Sequence, residues 1–477
     1  MTHALPPYPD YKESGIAWLG QVPKHWEVHT FRQVAHATKG SQPQRLYLEH
    51  EAPAEAKPYL TMEYLRAPQG NPKFYCVPSN GDVVANAGDI LLLWDGANAG
   101  EFLVAKEGVV SSTAALLHFA HHNTRYIYFA LKQCEPLLRA FSTGMGIPHV
   151  DSRTLRHMPI PLPPLDEQVA IVRFLDFVDG RMRRYARAQQ QTIRLLTEYK
   201  QSLIHHAVTG KVNVCTGAPY TTYHDTGIEW LGQVPSHWEV CRLKSRLVKN
   251  ESGIWNDRHN THGTIVLRST EQTISGGWRI ENPARLVLSP EERETYLLQV
   301  GDLLVTKSSG SPDHIGKTSL VTEEIASLAC AFSNFMQRLR VDKDTHPKLI
   351  WYYLNSPVGR EQLIFQSTTT TGLGNLNGKM LGNCIIAIPP LAEQWAIVEY
   401  LDAQTARIDA AIAAVRRMVA LVGEYRERLV ADVVTGKVDV RAVAAGLPEA
   451  DALRTPFAPD DAPTLEEALQ DATDGHE

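Results

Sequence analysis

The sequence predicts an α+β protein. Two globular domains of mixed helix and strand are separated by two long helices with a coiled-coil seam, in a pseudo-two-fold internal repeat. Three observations predict it. A long helical stretch is written twice. A short tryptophan-bearing segment is also written twice, once ahead of each domain. Between these copies lie two stretches of about 130 to 150 residues, a normal domain size, that share only sparse marks.

The helices come first because they organise the rest. Leu165-Asp166-Glu167-Gln168-Val169-Ala170-Ile171-Val172 opens one run, which ends at Thr209-Gly210-Lys211-Val212. Leu391-Ala392-Glu393-Gln394-Trp395-Ala396-Ile397-Val398 opens the other, which ends at Thr435-Gly436-Lys437-Val438. Both ends are offset by 226 residues, so neither copy has gained or lost a residue. Loops tolerate length changes, and strict equality implies that the length itself matters. Pro163-Pro164 and Pro389-Pro390 precede the helices, where a missing N–H costs little. Asp166, Glu167 and Glu393 put negative charge on the first turn, which suits the helix dipole. Gly210 and Gly436 stand where a left-handed cap stops a helix. About 43 residues at about 1.5 Å each give a rod of roughly 65 Å.

The apolar period is seven. Leu401, Ile408, Val415, Val422 and Leu429 form one row of the second helix, and Ala411, Met418 and Tyr425 fall three residues on. In the first helix the rows are Leu175, Met182, Gln189, Leu196, Leu203 and Val178, Tyr185, Thr192, Tyr199, with Gln189 and Thr192 weakening the middle. That spacing is a coiled-coil seam.

The segment Tyr11-Lys12-Glu13-Ser14-Gly15-Ile16-Ala17-Trp18-Leu19-Gly20-Gln21-Val22-Pro23-Lys24-His25-Trp26-Glu27-Val28 recurs from Tyr223 to Val240, offset by 212. Its two tryptophans are apolar anchors expected to dock the segment on its own half. The chain thus divides into a linker (1–28), a domain (29–163), a long helix (164–214), a second linker (215–240), a second domain (241–389), a second helix (390–440) and an acidic tail (441–477). Within the domains, Gly88-Asp89-Ile90-Leu91-Leu92-Leu93 matches Gly301-Asp302-Leu303-Leu304-Val305-Thr306, a turn and then a buried strand. Tyr126-Ile127-Tyr128-Phe129-Ala130-Leu131 matches Leu349-Ile350-Trp351-Tyr352-Tyr353-Leu354, an aromatic-faced helix. Gly146, Val150 and Leu155 match Gly372, Leu376 and Leu381. The second domain is longer by about 14 residues, inserted largely between the strand and the aromatic helix.

Composition sets bounds. At 477 residues with 43% hydrophobic content the chain holds more than one core. No apolar run reaches membrane-spanning length and the N-terminus lacks the core of a signal peptide, so a cytoplasmic protein with no membrane partner is expected. Six single cysteines without CxxC spacing suit a reducing compartment and no structural zinc. Net charge is −6, but nine acids against two arginines from Arg441 on give the tail −7 and leave the body at +1. An alanine-, proline- and acid-rich tail predicts disorder.

Catalytic motifs fail on inspection. Gly316-Lys317-Thr318 resembles the end of a phosphate-binding loop, but the required earlier glycine falls at Ser311. Leu5-Pro6-Pro7-Tyr8 resembles an amino-methyltransferase tetrapeptide with leucine in place of the polar residue. Glu198-Tyr199-Lys200 has nuclease-like spacing inside a helix, where an exposed charged face explains it. His121-His122 and His205-His206 lack the i, i+4 spacing of a helical metal site, so no metal is assigned.

The doubled W-L-G-x-x-P-x-H-W-E-V segment, P-P-L-x-E-Q-x-A-I-V helix start and T-G-K-V helix end resemble the specificity subunit of type I restriction-modification systems, from about Tyr11 to Val440. The resemblance implies two target recognition domains held apart by antiparallel helices, each reading half of an asymmetric double-stranded DNA site, with phage defence as the setting. It implies no catalysis by this chain, and assembly with two methyltransferase and two motor-endonuclease subunits, the former docking on the helices. It implies no cofactor on this chain, with S-adenosylmethionine and ATP/Mg on the partners. The acidic tail lies outside the family pattern. Another modification-based defence system, a self-sufficient restriction or ATP-dependent enzyme built around Lys317, and a scaffold with no DNA role remain as alternatives. Phosphate contacts need Lys or Arg, while base reading favours Arg, Lys, Asn, Gln and Ser/Thr in loops. The candidates for DNA contact are Lys39, Arg45, Lys73, Asn98, Ser111, His149 and Arg153 in the first domain. In the second they are Arg258, Arg268, Lys307, Ser308, Lys317, Asn375, Asn377 and Lys379, beside the polar loop Thr368–Gly372.

Overall fold

The structure is a computed structural model that describes residues 5–67, 70–119, 122–141, 148–256, 258–309, 314–367 and 374–448. Gly146, Gly372, the loop from Thr368, the near-phosphate-loop position Ser311 and the tail beyond Pro448 lie outside the described residues. The chain forms two compact units. One holds the described residues up to Gln190 and those from Arg417 on, and the other holds Gln191–Arg416. Each unit therefore contains one linker, one globular domain, and a part of each long helix.

The two domains are built alike. In the first, strands Ala35–Lys39, Ala114–Phe119, Ile90–Leu93 and Phe102–Val104 lie side by side in that order, all antiparallel. In the second, Leu247–Ser252, Met336–Val341, Leu303–Thr306 and Thr318–Leu320 repeat the order and the sense. The Gly-Asp strand is central in both, and all four residues of each copy are buried, as a continuous apolar run requires. A second sheet accompanies each main one, four-stranded in the first domain and three-stranded in the second. The pairs Glu27–Thr30 with Pro159–Leu162 and Glu239–Arg242 with Ile385–Ile388 tie the end of each linker to the strand that feeds the long helix.

Structural equivalence locates the inserted residues. Gly88 and Gly301 are 213 apart, the aromatic-helix caps Asn123 and His346 are 223 apart, and the long-helix starts are 226 apart. Ten of the extra residues thus enter between the strand and the aromatic helix, and three after it.

The long helices run over Leu165–Val208 and Leu391–Val434, 44 residues each. Gly210 (φ +67°) and Gly436 (φ +75°) are left-handed and end them. A methyl group at either glycine overlaps a linker proline, Pro235 or Pro23, so the cap doubles as a close docking point. In each unit the beginning of one helix packs with the end of the other. In the first, Ile171, Val172 and Leu175 share a core with Leu429, Val430, Val433 and Val434, and Arg426 grips Asp179 by two bonds of 2.9 and 3.0 Å. In the second, Leu203, Ile204 and Ala207 share a core with Ile397 and Leu401, and Lys200 meets Asp409 at 2.7 Å.

The seam differs from the expected one in its second row. Leu175, Leu203, Leu401, Ile408 and Leu429 are buried, and Val178, Met182, Leu196, Val415 and Val422 half-buried. Tyr185, Tyr199, Met418 and Tyr425 are exposed. The row beside the first runs one residue later, through Asp179, Ala186 and Ala207 in one helix and Thr405, Ile412, Val419 and Val433 in the other. Both choices fit a period of seven. In the first helix alanines fill the buried row, in the second Ile412, Val419 and other branched residues do, and the larger Tyr185, Tyr199, Met418 and Tyr425 face outward.

The repeated motifs meet at one carboxylate per unit. Glu167 accepts from the Tyr8 hydroxyl at 2.5 Å and the Trp26 indole at 3.0 Å, with His25 Nε2 at 2.7 Å. Glu393 accepts from the Tyr220 hydroxyl and from the Trp238 indole at 3.1 Å, with His237 Nε2 at 2.8 Å. The next residue ties the helix to its domain. Gln168 accepts from Asn123 N at 3.0 Å and donates to Pro163 O, while Gln394 accepts from His346 N at 2.7 Å and donates to Pro389 O. The glutamates thus act as acceptors for the linker more than as dipole partners. Only the second tryptophan of each linker is a buried anchor, since Trp18 is exposed and Trp230 half-buried. Among the described residues no helix is long and apolar enough to cross a membrane, and no cluster of metal-ligating side chains forms.

Glu167 is 3% exposed and Glu393 21%. Removing a carboxylate leaves the tyrosine and indole donors without a partner, at about 1–3 kcal/mol for each buried group. Glu167→Ala is expected to lower unfolding free energy by about 3 kcal/mol. Glu393→Ala is expected to cost less, because water reaches its donors. Urea unfolding of each variant measures the difference.

Candidate nucleic-acid interface

The sequence-derived candidates separate into three groups by where the fold puts them. Three in the first domain and five in the second gather where the central strand leaves the main sheet. Lys39 ends an outer strand, and its ammonium meets Asp95 Oδ2 at 2.7 Å. Asp95 in turn makes a backbone bridge to His149, and exposed Arg153 opens the short helix two residues after Val150–Asp151. In the second domain Lys307 donates to Ser252 Oγ at 2.6 Å, and Ser308 donates to Asn375 Oδ1 at 2.9 Å. Asn377 caps the helix Gly378–Asn383 by accepting from Met380 N, and Lys379 is exposed on its first turn. Burial holds the Lys307 ammonium below the usual lysine range.

A second group lies elsewhere on the surface, already engaged. Arg45 stacks 4.7 Å from the Tyr47 ring and Lys73 5.6 Å from Phe74, on backbones joined by the Tyr47–Tyr75 bridge. Asn98 sits half-buried in a turn. Arg258 pairs with Glu292, and Arg268 with Glu271 and Asn282 O.

The third group is interior. Ser111 is buried and bonds Thr113 at 3.0 Å. Lys317 is buried, its ammonium 3.2 Å from Ser269 O and 3.0 Å from Gln272 O. Those carbonyls and the nearby Arg360 charge surround an amine that burial holds below its usual pKa. An ammonium enclosed this way braces its own domain and has no free side for a phosphate.

Several residues at the strand exit escaped the sequence reading. Trp94 and Asp95 directly follow Ile90–Leu93, and alignment on the Gly-Asp mark pairs them with Lys307 and Ser308. Neither Trp94 nor Asp95 is a basic, amide or hydroxyl residue, the types that phosphate contact and base reading favour most. Trp255, 76% exposed, packs edge-on against exposed Phe335 at 6.3 Å. Asn250 donates to Gly378 O and accepts from Gln337 Nε2, each at 2.7 Å. Position 378 is glycine because a Cβ there crowds both amides. An exposed aromatic pair beside lysines and amides offers base edges both apolar and polar contacts.

Trp255→Ala removes surface area without opening a core. It is expected to change unfolding free energy by under about 0.5 kcal/mol, yet to weaken duplex binding by the assembled complex in a gel-shift titration. Lys317→Ala is expected to behave oppositely, lowering stability by about 1–3 kcal/mol through the two orphaned carbonyls and leaving sequence preference unchanged.

Comparison with known proteins places the chain in a family. The family described as "Type I restriction modification DNA specificity domain" matches residues 23–193 and again 235–414, one match per repeat. The chain is 26% identical over 439 residues to the MjaVIII type I restriction enzyme specificity subunit of Methanocaldococcus jannaschii, covering 90% of this chain and 97% of that one. It is 24% identical to the EcoKI specificity subunit of Escherichia coli K12, over 63% of this chain and 62% of that one. A solved chain from a study of type I R-M complex assembly and conformational transition superposes with a TM-score of 0.63 at 16% identity, covering 87% of this chain and 99% of that one. The chain belongs to the type I restriction-modification DNA specificity family and is the non-catalytic, sequence-recognising subunit of such a system.

Proposed function

We propose that the chain reads a split, asymmetric DNA site, each domain reading one half while the long helices set the unread gap. One observation carries this reading: the same backbone frame, built twice, bears unlike side chains at its strand exit. A repeated frame suits two half-sites, and unlike side chains suit two different sequences. The equal helix lengths, 44 residues each, support a fixed spacing.

The partners are read from the helices and from membership of the type I specificity family. Two methyltransferase subunits dock on the helices and two motor-endonuclease subunits complete the complex. S-adenosylmethionine and ATP/Mg bind those partners, and the assembly works on DNA in the cytoplasm. Outward-facing Tyr185, Leu195 and Tyr199 on one helix, and Met418, Leu421 and Tyr425 on the other, offer apolar area of the kind protein interfaces use.

Mapping modified bases genome-wide, in cells with and without this chain, tests the reading. A split motif is expected only when this chain and the partner methyltransferase are both present. Adding one helical turn to both long helices lengthens each by about 5.4 Å, against about 3.4 Å per base pair. The gap is expected to grow by one or two base pairs with both half-sites unchanged. Altered half-sites with a constant gap contradict the spacing role.

A further inference from the structure

The two strand exits can be matched atom by atom. Trp94 N donates to Thr113 O at 2.8 Å, and Lys307 N donates to Phe335 O at 2.9 Å. Val150 N donates to Trp94 O at 2.9 Å, and Leu376 N donates to Lys307 O at 2.8 Å. Asp95 bridges His149 as Ser308 pairs with Asn375. Gly40 and Gly253 each lie so close to backbone carbonyls, of Ser111 and of Ser333, that no side chain fits there. Position 95 in the first domain is therefore position 308 in the second. The scaffold around it repeats, but the chemistry changes from a carboxylate to a hydroxyl.

We propose that Asp95 is a base-reading residue of the first domain and that it selects cytosine in a C·G pair. This rests on the DNA-reading role proposed above. A carboxylate on a DNA-facing surface is repelled by phosphates, so it suits a place where a base edge donates to it. It accepts only. In the major groove cytosine presents an N4 amino donor, whereas adenine sets its N6 donor beside the N7 acceptor, whose lone pair opposes a carboxylate. Guanine and thymine offer acceptors or a methyl group at the corresponding edge. Asp95 is 27% exposed, so its carboxylate is fixed yet open on one side, and Lys39 holds it from the other at 2.7 Å. Lys39 offsets the negative charge and acts as a positioning residue. In the second domain the equivalent place presents the Ser308 hydroxyl and the Asn375 amide, which can serve as donor or acceptor.

The test replaces Asp95 in the full chain, assembled with its methyltransferase, and reads the modified motif by sequencing. The unaltered complex is expected to require a C·G pair at one position of one half-site. Asp95→Asn supplies an amide, which pairs with adenine N6 and N7, and is expected to shift the preference at that position toward A·T by about tenfold to a hundredfold. Asp95→Ser, which carries the second domain's own residue, is expected to relax that position. The other half-site and the gap stay the same, and thermal unfolding of the variants shows that the fold is kept. An unchanged motif in both variants overturns the assignment, as does a uniform loss of binding across all sequences, which marks Asp95 as a brace for a phosphate-binding Lys39 alone. A complex without this substitution that modifies no split motif overturns the DNA-reading role, and the assignment with it.

Discussion

One carboxylate per unit, buried in the first and half-buried in the second, sustains the architecture. Glu167 and Glu393 each collect a tyrosine hydroxyl, an indole N–H and an imidazole nitrogen from a linker, at the first turn of a long helix. Charge-assisted bonds of this kind are among the stronger ones a fold can make. They are directional, so they set the angle at which the linker meets the helix. The neighbouring glutamine makes the same join on the domain side through the backbone of Asn123 or His346. In the first unit the linker also lies against the end of the other helix, with Asp439 N donating to Pro6 O at 2.8 Å and Gly436 fitted under Pro23. Linker, helix start, helix end and domain thus converge within a few residues, which explains why the recurring sequence is concentrated there.

Around those anchors the two units repeat more than the sequence announces. An acid 226 residues apart on the long helices, Asp176 and Asp402, pairs with a cation on the aromatic helix, Arg125 or Lys348. Cap residues recur with changed identity, Asp151 for Asn377 and Asn123 for His346. Each swap keeps a side chain that accepts from the backbone N–H groups of the first turn. The frame is held by what the atoms do. At positions 95 and 308, and at 94 and 307, the backbone bonds repeat while each copy has its own side chain and its own side-chain partners, Lys39 for Asp95 and Asn375 for Ser308, and there the two surfaces acquire their difference.

Much of the candidate surface was legible because polar residues in loops after a strand are where a sheet presents its contacts. Lys307, Ser308 and Asn375 were named from sequence and meet in space. Lys317 and Ser111 were named on the same criterion and are interior. A lysine before a strand reads the same whether its amine faces water or two backbone carbonyls. Asp95 went unnamed for the converse reason: its charge argues against DNA until its pairing with Lys39, and its equivalence to Ser308 of the second domain, are known. The outer faces of the long helices misled similarly, since Tyr185, Tyr199, Met418 and Tyr425 are apolar enough to fill a seam and yet lie outside it.

By itself the sequence determined the repeat, the helix lengths, the caps and the buried central strands, because each depends on residues near one another in the chain. Periodicity, proline, glycine and β-branched runs act locally, and two copies allow one to check the other. Tertiary structure alone decided which of two seven-residue rows is buried, which lysines face water, and what the repeated glutamates hold. Those outcomes turn on atoms brought together from distant parts of the chain, and on how closely the packed side chains let two surfaces approach.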